Sequence, residues 1–172
     1  MNLRSIEIQL LCEDDEQFAQ QCAEIAEALV QINVWEIRHD GDRLPCCLGC
    51  GEIEYEPPQP CGSTPGSCNI RPRATPCQTI RDARGIYAAK RGTCFDLACE
   101  RAARCRLEGI EATAVIVQRL DRGRPIPGQF HAYVETPDGV EDPALELSEN
   151  PGECGGSCSC GDDGHETDEG GI

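Results

Sequence analysis

The middle of the chain constrains the fold more than any other part of the sequence. From Gly41 to Cys77 neither helical nor strand periodicity is present, and seven prolines interrupt the run together with Gly and Ser. A loop of this length is uncommon inside a compact domain unless something holds it in place. The available ties are its six cysteines: Cys46, Cys47, Cys50, Cys61, Cys68 and Cys77. We therefore expect an inserted, cysteine-stabilised loop over residues 41–78.

The six cysteines of the loop can act in two ways. Thiolate sulfurs are typical ligands of tetrahedral zinc sites, and Cys47-x2-Cys50 has a spacing that such sites use. A second Cys-x2-Cys pair is missing from the loop, so the ligands would be a subset of the six. Disulfides within the loop are the competing interpretation, which the sequence leaves open. Under the first interpretation, the cofactor that the sequence indicates is a structural zinc.

The residues before the loop predict a strand, a helix and a second strand. Apolar residues alternate with polar ones over 3–11, which is typical of a half-buried strand. Apolar residues at helical spacing predict an amphipathic helix over 15–31. The run Val34–Ile37 predicts the second short strand. We assign residues 1–40 a structural role.

Downstream of the loop, the pattern predicts two helices followed by strands. The helices are expected over 79–90 and 94–108. Strands are expected over 112–120 and 130–135, and a returning strand begins at Val140 after a turn rich in Pro and Gly. Helices followed by consecutive strands are typical of an α+β fold with an antiparallel sheet.

Cys94 occupies the first turn of the second of these helices. Thr93 suits the N-cap position, and Asp96 suits the reciprocal position of a capping box. A cysteine there faces unpaired N–H groups and the positive end of the helix dipole, which stabilise a thiolate and lower the thiol pKa. The same N–H groups can receive the oxyanion of a tetrahedral intermediate. Cys94 is therefore the candidate nucleophile.

A thiol nucleophile needs a histidine as base and a carboxylate that orients it, and both follow in the sequence. His131 lies in the predicted strand over 130–135. If Pro137-Asp138 forms a two-residue turn, Asp142 is the diagonal neighbour of His131 on the same face of the sheet. If the loop has three residues, Glu141 takes that place. The residue pattern leaves both registers open.

These motifs, in this order, resemble the transglutaminase-like superfamily of papain-type cysteine enzymes. The resemblance spans roughly residues 79–147, and Tyr133 stands where the family usually has Trp. The resemblance implies that Cys94 is the nucleophile, His131 the base and acid, and Asp142 the orienting residue. It also implies a papain-like core in which the nucleophile helix packs on an antiparallel sheet. The matching stretches are Gly92-Thr93-Cys94-Phe95-Asp96-Leu97-Ala98, Glu108-Gly109-Ile110, His131-Ala132-Tyr133-Val134-Glu135 and Asp142-Pro143.

With this resemblance the chain divides into four parts. Residues 1–40 are the N-terminal part of the domain, and residues 41–78 are the Cys/Pro-rich loop. Residues 79–147 are the catalytic core. Residues 148–172 form an acidic tail of Gly, Ser and Cys that cannot bury a core, so we expect it to be flexible.

The resemblance implies acyl transfer from an amide. The Cys94 thiolate attacks, an acyl-enzyme forms, and water or an amine resolves it, with no cofactor required. Hydrolysis by a cysteine peptidase or amidase acting on a protein or peptide is the first expectation, and transamidation is the second. The alternative is a non-catalytic structural protein, associated with a particle such as a virion and stabilised by disulfides or a zinc–thiolate site. A zinc-dependent redox or regulatory module is a third hypothesis.

The charge and hydropathy of the chain bear on its partners. The formal net charge is −16, and a nucleic-acid binder normally has a basic face, so we expect no nucleic-acid partner. No segment approaches the roughly 18 apolar residues of a membrane span. The N-terminus lacks the apolar core of a signal peptide. We expect a cytoplasmic location or a particle assembled there, with incorporation into a larger protein assembly under the structural alternative.

Overall fold

The computed structural model describes residues 5–9, 15–41, 43–57 and 79–150. Cys12, Cys61, Cys68, Cys77 and residues 151–172 of the predicted tail (148–172) lie outside the described residues, whereas Ser148 and Glu149 belong to α4. The elements are β1 (Glu7–Gln9), α1 (Asp15–Asp40), β2 (Glu54–Tyr55), β3 (Thr79–Arg81), α2 (Ala83–Ala89), β4 (Arg91–Gly92), α3 (Cys94–Leu107), β5 (Thr113–Asp121), β6 (Arg124–Thr136), β7 (Gly139–Glu141) and α4 (Pro143–Glu149).

The core lies between two helices and one antiparallel sheet. Strands β5, β6 and β7 are neighbours in that order, and α1 and α3 both pack against the sheet. Small residues allow the close approach of α3, since Ala98 and Ala102 are fully buried and so is Ala132 of β6. The expected α+β architecture with a helix on an antiparallel sheet is confirmed. Two further pairs, antiparallel β1–β3 and parallel β2–β4, lie outside this sheet.

The predicted strand Val34–Ile37 is wrong, because these residues continue α1 to Asp40. The buried face of the helix runs on through Asn33 and Glu36. Their side chains accept hydrogen bonds from the backbone N–H groups of Ala83 and Arg84 at the start of α2. These hydrogen bonds between side chains of α1 and the start of α2 therefore override the local β propensity of residues 34–37.

The helix predicted over 79–90 begins later, because its first residues form β3. Residues 79–81 pair with β1, and Asp82 then caps α2 by accepting a hydrogen bond from Gly85 N–H at 2.7 Å. The buried carboxylate thus marks the boundary between strand and helix.

Strand β6 starts six residues before the predicted strand. Arg122 and Gly123 both have positive φ (48° and 78°) and form a two-residue turn between β5 and β6. Positive φ at both central positions is the geometry that matches the twist of a hairpin. The register shifts between Gln118 and Leu120, where additional residues of β6 bulge out.

The second hairpin ends in a short helix that the sequence did not predict. Val134 pairs with Glu141 and Thr136 with Gly139, so Pro137-Asp138 is a two-residue turn. Asp142 then caps α4, with Pro143 in its first turn. None of the helices in the described part of the chain is long and apolar enough to cross a membrane.

Candidate active site

A complete capping box positions Cys94 at the start of α3. Asp96 N–H donates to the hydroxyl of Thr93, and Thr93 N–H donates to the carboxylate of Asp96 at 3.0 Å. Gly92 precedes the cap in β4, and a Cβ there would lie 3.0 Å from Leu97. Because Gly92 has no Cβ, its backbone can pack closely against Leu97 in the first turn of α3.

The buried carboxylate of Asp96 also fixes the strand beside the helix. Its Oδ1 accepts from Arg81 N–H at 2.9 Å, and the Arg81 guanidinium pairs with Glu56 at 2.9 Å. Burial raises the pKa of Asp96 to about 6, although hydrogen bonds from Arg81 and Thr93 oppose the shift. Asp96 thus holds β3 and helix α3 together.

The thiol of Cys94 does not have the low pKa that its helix position predicts. The residue is 2% exposed. Burial raises its pKa to about 11, and the negative charge of Asp96 adds to the shift. Hydrogen bonds from backbone N–H groups, first Ala132 and then Phe95, lower it less than burial raises it. Cys94 is therefore a neutral thiol that needs a base to release its proton.

His131 and Asp142 are in direct contact. Nε2 of His131 lies 2.6 Å from Oδ2 of Asp142. The other carboxylate oxygen of Asp142 accepts from Leu145 N–H at 3.1 Å as the cap of α4. Both oxygens are thus engaged, which fixes the carboxylate, and Nδ1 of His131 is the ring nitrogen left for another partner.

Glu141, the alternative third residue, faces a different partner. Its carboxylate pairs with Arg101 of α3 at 2.5 Å. The two-residue turn places Glu141 opposite Val134 and brings Asp142, rather than Glu141, to His131.

Cys94 lies beside the strand that carries His131. The backbone N–H of Ala132, the residue that follows His131 in β6, lies near enough to the thiol to lower its pKa. Strand β7 pairs with Val134, Glu135 and Thr136 of β6. Ala132 lies two residues before the first of these, so β7 does not pair with β6 beside Cys94. The negative charge of Asp142 reaches Cys94 and raises the pKa of the thiol. The three predicted residues thus belong to one region of the molecule.

Tyr55 is a residue of this region that the sequence reasoning missed. It pairs with Gly92 in the β2–β4 bridge, two residues before Cys94. Burial raises the pKa of its phenol, and the charges of Asp142 and, when it is ionised, of Cys94 raise it further. The sequence contains no signal for this placement, because a two-residue parallel bridge leaves no periodic pattern.

The first three cysteines of the loop form a cluster at the other end of α3. The sulfurs of Cys46, Cys47 and Cys50 all lie within 4.8 Å of one another, which is a group that could hold a metal ion. Cys50 N–H donates to the sulfur of Cys47 at 3.4 Å. Arg104 of α3 fixes the segment by donating to the carbonyl oxygens of Pro45 and Cys46.

The oxidation states within the cluster differ. Cys46 and Cys47 are thiols, whereas Cys50 is disulfide-bonded. No disulfide joins two of the cysteines in the described ranges. Cys22, Cys99 and Cys105 are buried in the core.

Comparison with known proteins adds no relative to this picture. No family model, curated protein or solved structure matches the chain.

Proposed function

We propose that this protein is a transglutaminase-like cysteine enzyme that transfers the acyl group of an amide. The observation that carries the proposal is the hydrogen bond between His131 Nε2 and Asp142 Oδ2. It leaves Nδ1 for a further partner, and we assign that partner as the thiol of Cys94, which lies near the backbone N–H of Ala132, the next residue of the strand. A histidine oriented by a carboxylate beside a thiol is the arrangement of nucleophilic acyl transfer.

The proposed reaction begins with the neutral thiol. The Cys94 proton passes to Nδ1 of His131 while sulfur bonds to the carbonyl carbon of the substrate, and the carbonyl electron pair moves onto oxygen. Backbone N–H groups at the start of α3 stabilise the resulting oxyanion. The C–N bond then breaks, the leaving amine takes the proton from His131, and an acyl-enzyme remains. Asp142 stabilises the imidazolium during the interval in which His131 holds the proton.

The acceptor of the acyl group decides which activity results. Water gives hydrolysis of a peptide or isopeptide bond, which we favour, and an amine gives transamidation. The substrate is a protein or peptide, because amides of that class supply both the acyl donor and the acceptor amine.

An activated ester tests the proposal without knowledge of the substrate. In p-nitrophenyl acetate, acetyl transfer to a thiol releases coloured p-nitrophenolate. We expect a burst that approaches one equivalent per chain, with the acetyl group on the Cys94 peptide in mass spectrometry. Cys94→Ala should abolish the burst, whereas Cys105→Ala, at a buried thiol of the same helix, should retain it. A burst that survives in Cys94→Ala contradicts the proposal.

The sulfur cluster of the loop supports a second candidate function, a structural zinc site. Tetrahedral thiolates at Zn–S distances of about 2.3 Å place their sulfurs about 3.8 Å apart, which the cluster approaches. The N–H···S bond from Cys50 to Cys47 also favours the thiolate form. Cys46, Cys47 and Cys50 would supply three ligands, provided that Cys50 is reduced.

Metal analysis after purification without chelators tests this second function. With a dithiol reductant present we expect about one zinc per chain, and Cys47→Ser should lower the content. Cys99→Ser, at a core thiol distant from the loop in sequence, is the control. A reduced protein that binds no added zinc rules out the site and leaves disulfides as the ties of the loop.

A further inference from the structure

Tyr55 lies where the starts of two helices meet. Strand β2 pairs with β4, which leads directly into Cys94 and α3. The same strand contacts α4, which begins after Asp142. Backbone hydrogen bonds from Glu54 and Glu56 to the carbonyl oxygens of Lys90 and Gly92 hold β2 in this register. Tyr55 therefore lies in a strand that pairs beside the start of α3 and also contacts α4.

The environment of Tyr55 differs from that of the other tyrosines. Tyr87 is buried and donates to Glu100 at 2.6 Å, so it belongs to the core. Tyr133 donates to the neighbouring Glu135. Tyr55 is half-buried, and within the described part of the chain its phenol oxygen makes no hydrogen bond. Among the described residues, no group competes with a substrate for its O–H.

The charges around Tyr55 keep its phenol protonated. Burial raises its pKa, the charges of Asp142 and, when it is ionised, of Cys94 raise it further, and Arg119 acts in the opposite direction. A phenol that holds its proton beside a nucleophile is a hydrogen-bond donor and not a base. Because charge develops on the carbonyl oxygen next to the attacking sulfur, a fixed donor at this place would stabilise the transition state.

We propose that the phenol of Tyr55 is a catalytic residue that donates a hydrogen bond to the oxyanion of the tetrahedral intermediate formed on Cys94. This inference rests on the proposed acyl transfer. As the S–C bond forms, the carbonyl π electrons move onto oxygen, and that oxygen accepts from the Tyr55 O–H. As the intermediate collapses, the C=O bond re-forms and the bond to the leaving group breaks. Tyr55 keeps its proton throughout.

Two reactions of the same thiol separate this role from a structural one. Acetylation of Cys94 by p-nitrophenyl acetate passes through an oxyanion, whereas alkylation by iodoacetamide displaces iodide and forms none. In Tyr55→Phe we expect acetylation of the Cys94 peptide to fall about 100-fold, the usual effect of removing one oxyanion donor. Alkylation of the same peptide should stay within about twofold, because neither the base nor access to sulfur has changed. Tyr133→Phe, which loses a hydroxyl from the strand of His131, should change neither rate.

The remaining outcomes count against the inference in different ways. If acetylation in Tyr55→Phe matches the wild type, Tyr55 does not reach the oxyanion. If both reactions slow equally, Tyr55 positions the thiol or supports the fold and is not a donor. If wild-type Cys94 is alkylated but never acetylated, the acyl-transfer proposal fails first, and the role of Tyr55 fails with it.

Discussion

At the scale of single residues, the decisive feature is the balance of opposing effects on the Cys94 sulfur. The helix start supplies N–H groups that favour a thiolate, but removal of the sulfur from water disfavours any charge more strongly and raises the pKa to about 11. A thiol of that pKa is almost entirely protonated near neutral pH. In the proposed mechanism its reactivity there depends on His131, whose ring is held by Asp142.

The charge of Asp142 can be removed almost without changing its shape. Asp142→Asn keeps an oxygen that can accept from Leu145 N–H, but it no longer holds a charged carboxylate against His131. We expect acetylation of Cys94 to slow by about 100-fold or more, since loss of the orienting carboxylate disturbs the histidine tautomer. Glu141→Gln removes the neighbouring carboxylate, which pairs with Arg101, and should leave the rate within about twofold of the wild type. Equal slowing in both variants would contradict the role assigned to Asp142.

The identities of these residues were predictable, whereas their electrostatics were not. The positions of Thr93 and Cys94 could be predicted locally, because a capping box is formed by residues within four consecutive positions of the sequence. Burial of the Cys94 sulfur depends on β6, which lies far away in sequence, and so the direction of its pKa shift could not be predicted. Tyr55 was missed for the same reason, because its place depends on pairing with β4.

At the scale of elements, the helix boundaries show where sequence patterns suffice. The start of α3 follows from its own cap and was predicted at Cys94. The C-terminal part of α1 was predicted as a strand, because the contacts of Asn33 and Glu36 with α2 leave no trace in hydrophobic periodicity. Of the two registers left open for the hairpin, the structure has the one with a two-residue turn.

The capping box of α3 makes a testable contribution to stability. Thr93→Ala removes the side chain that accepts from Asp96 N–H and should lower the free energy of unfolding by about 1 kcal/mol. Thr113→Ala, at an exposed position at the start of β5, should have less than half that effect. Urea unfolding of both variants measures the difference. Equal stabilities would show that the box does not hold the helix start.

At the scale of the whole molecule, a buried carboxylate joins the N-terminal helix α1 to α2. Glu36 is 2% exposed, accepts from Arg84 N–H and pairs with the Arg84 guanidinium at 3.5 Å. Burial, followed by the charge of Asp82, raises its pKa to about 7. Most of the tail and loop lie outside the described ranges. Within those ranges, the interface between α1 and α2 is the clearest polar connection between parts of the chain that are distant in sequence.

The raised pKa of Glu36 predicts the pH dependence of stability. The folded state binds this proton more tightly than the unfolded state, so the stabilisation is complete below the unfolded pKa of 4.5 and is lost as pH rises through about 7. Asp96 acts in the same direction, up to about pH 6. We expect the melting temperature to fall between pH 5 and pH 8, and to fall less in Glu36→Gln. Glu24→Gln, on the exposed face of α1, should follow the wild type, and an unchanged slope in Glu36→Gln would contradict the assignment.

The claim that unites these scales is that Cys94, His131 and Asp142 act as one unit. The most direct measurement is the rate of Cys94 acetylation by p-nitrophenyl acetate in the wild type, His131→Ala, Asp142→Asn and the double variant. We predict that His131→Ala slows the reaction about 100-fold or more, and that adding Asp142→Asn costs little further, because Asp142 acts through the histidine. If His131→Ala reacts as fast as the wild type, or if the two losses multiply in full, the three residues do not form a catalytic unit.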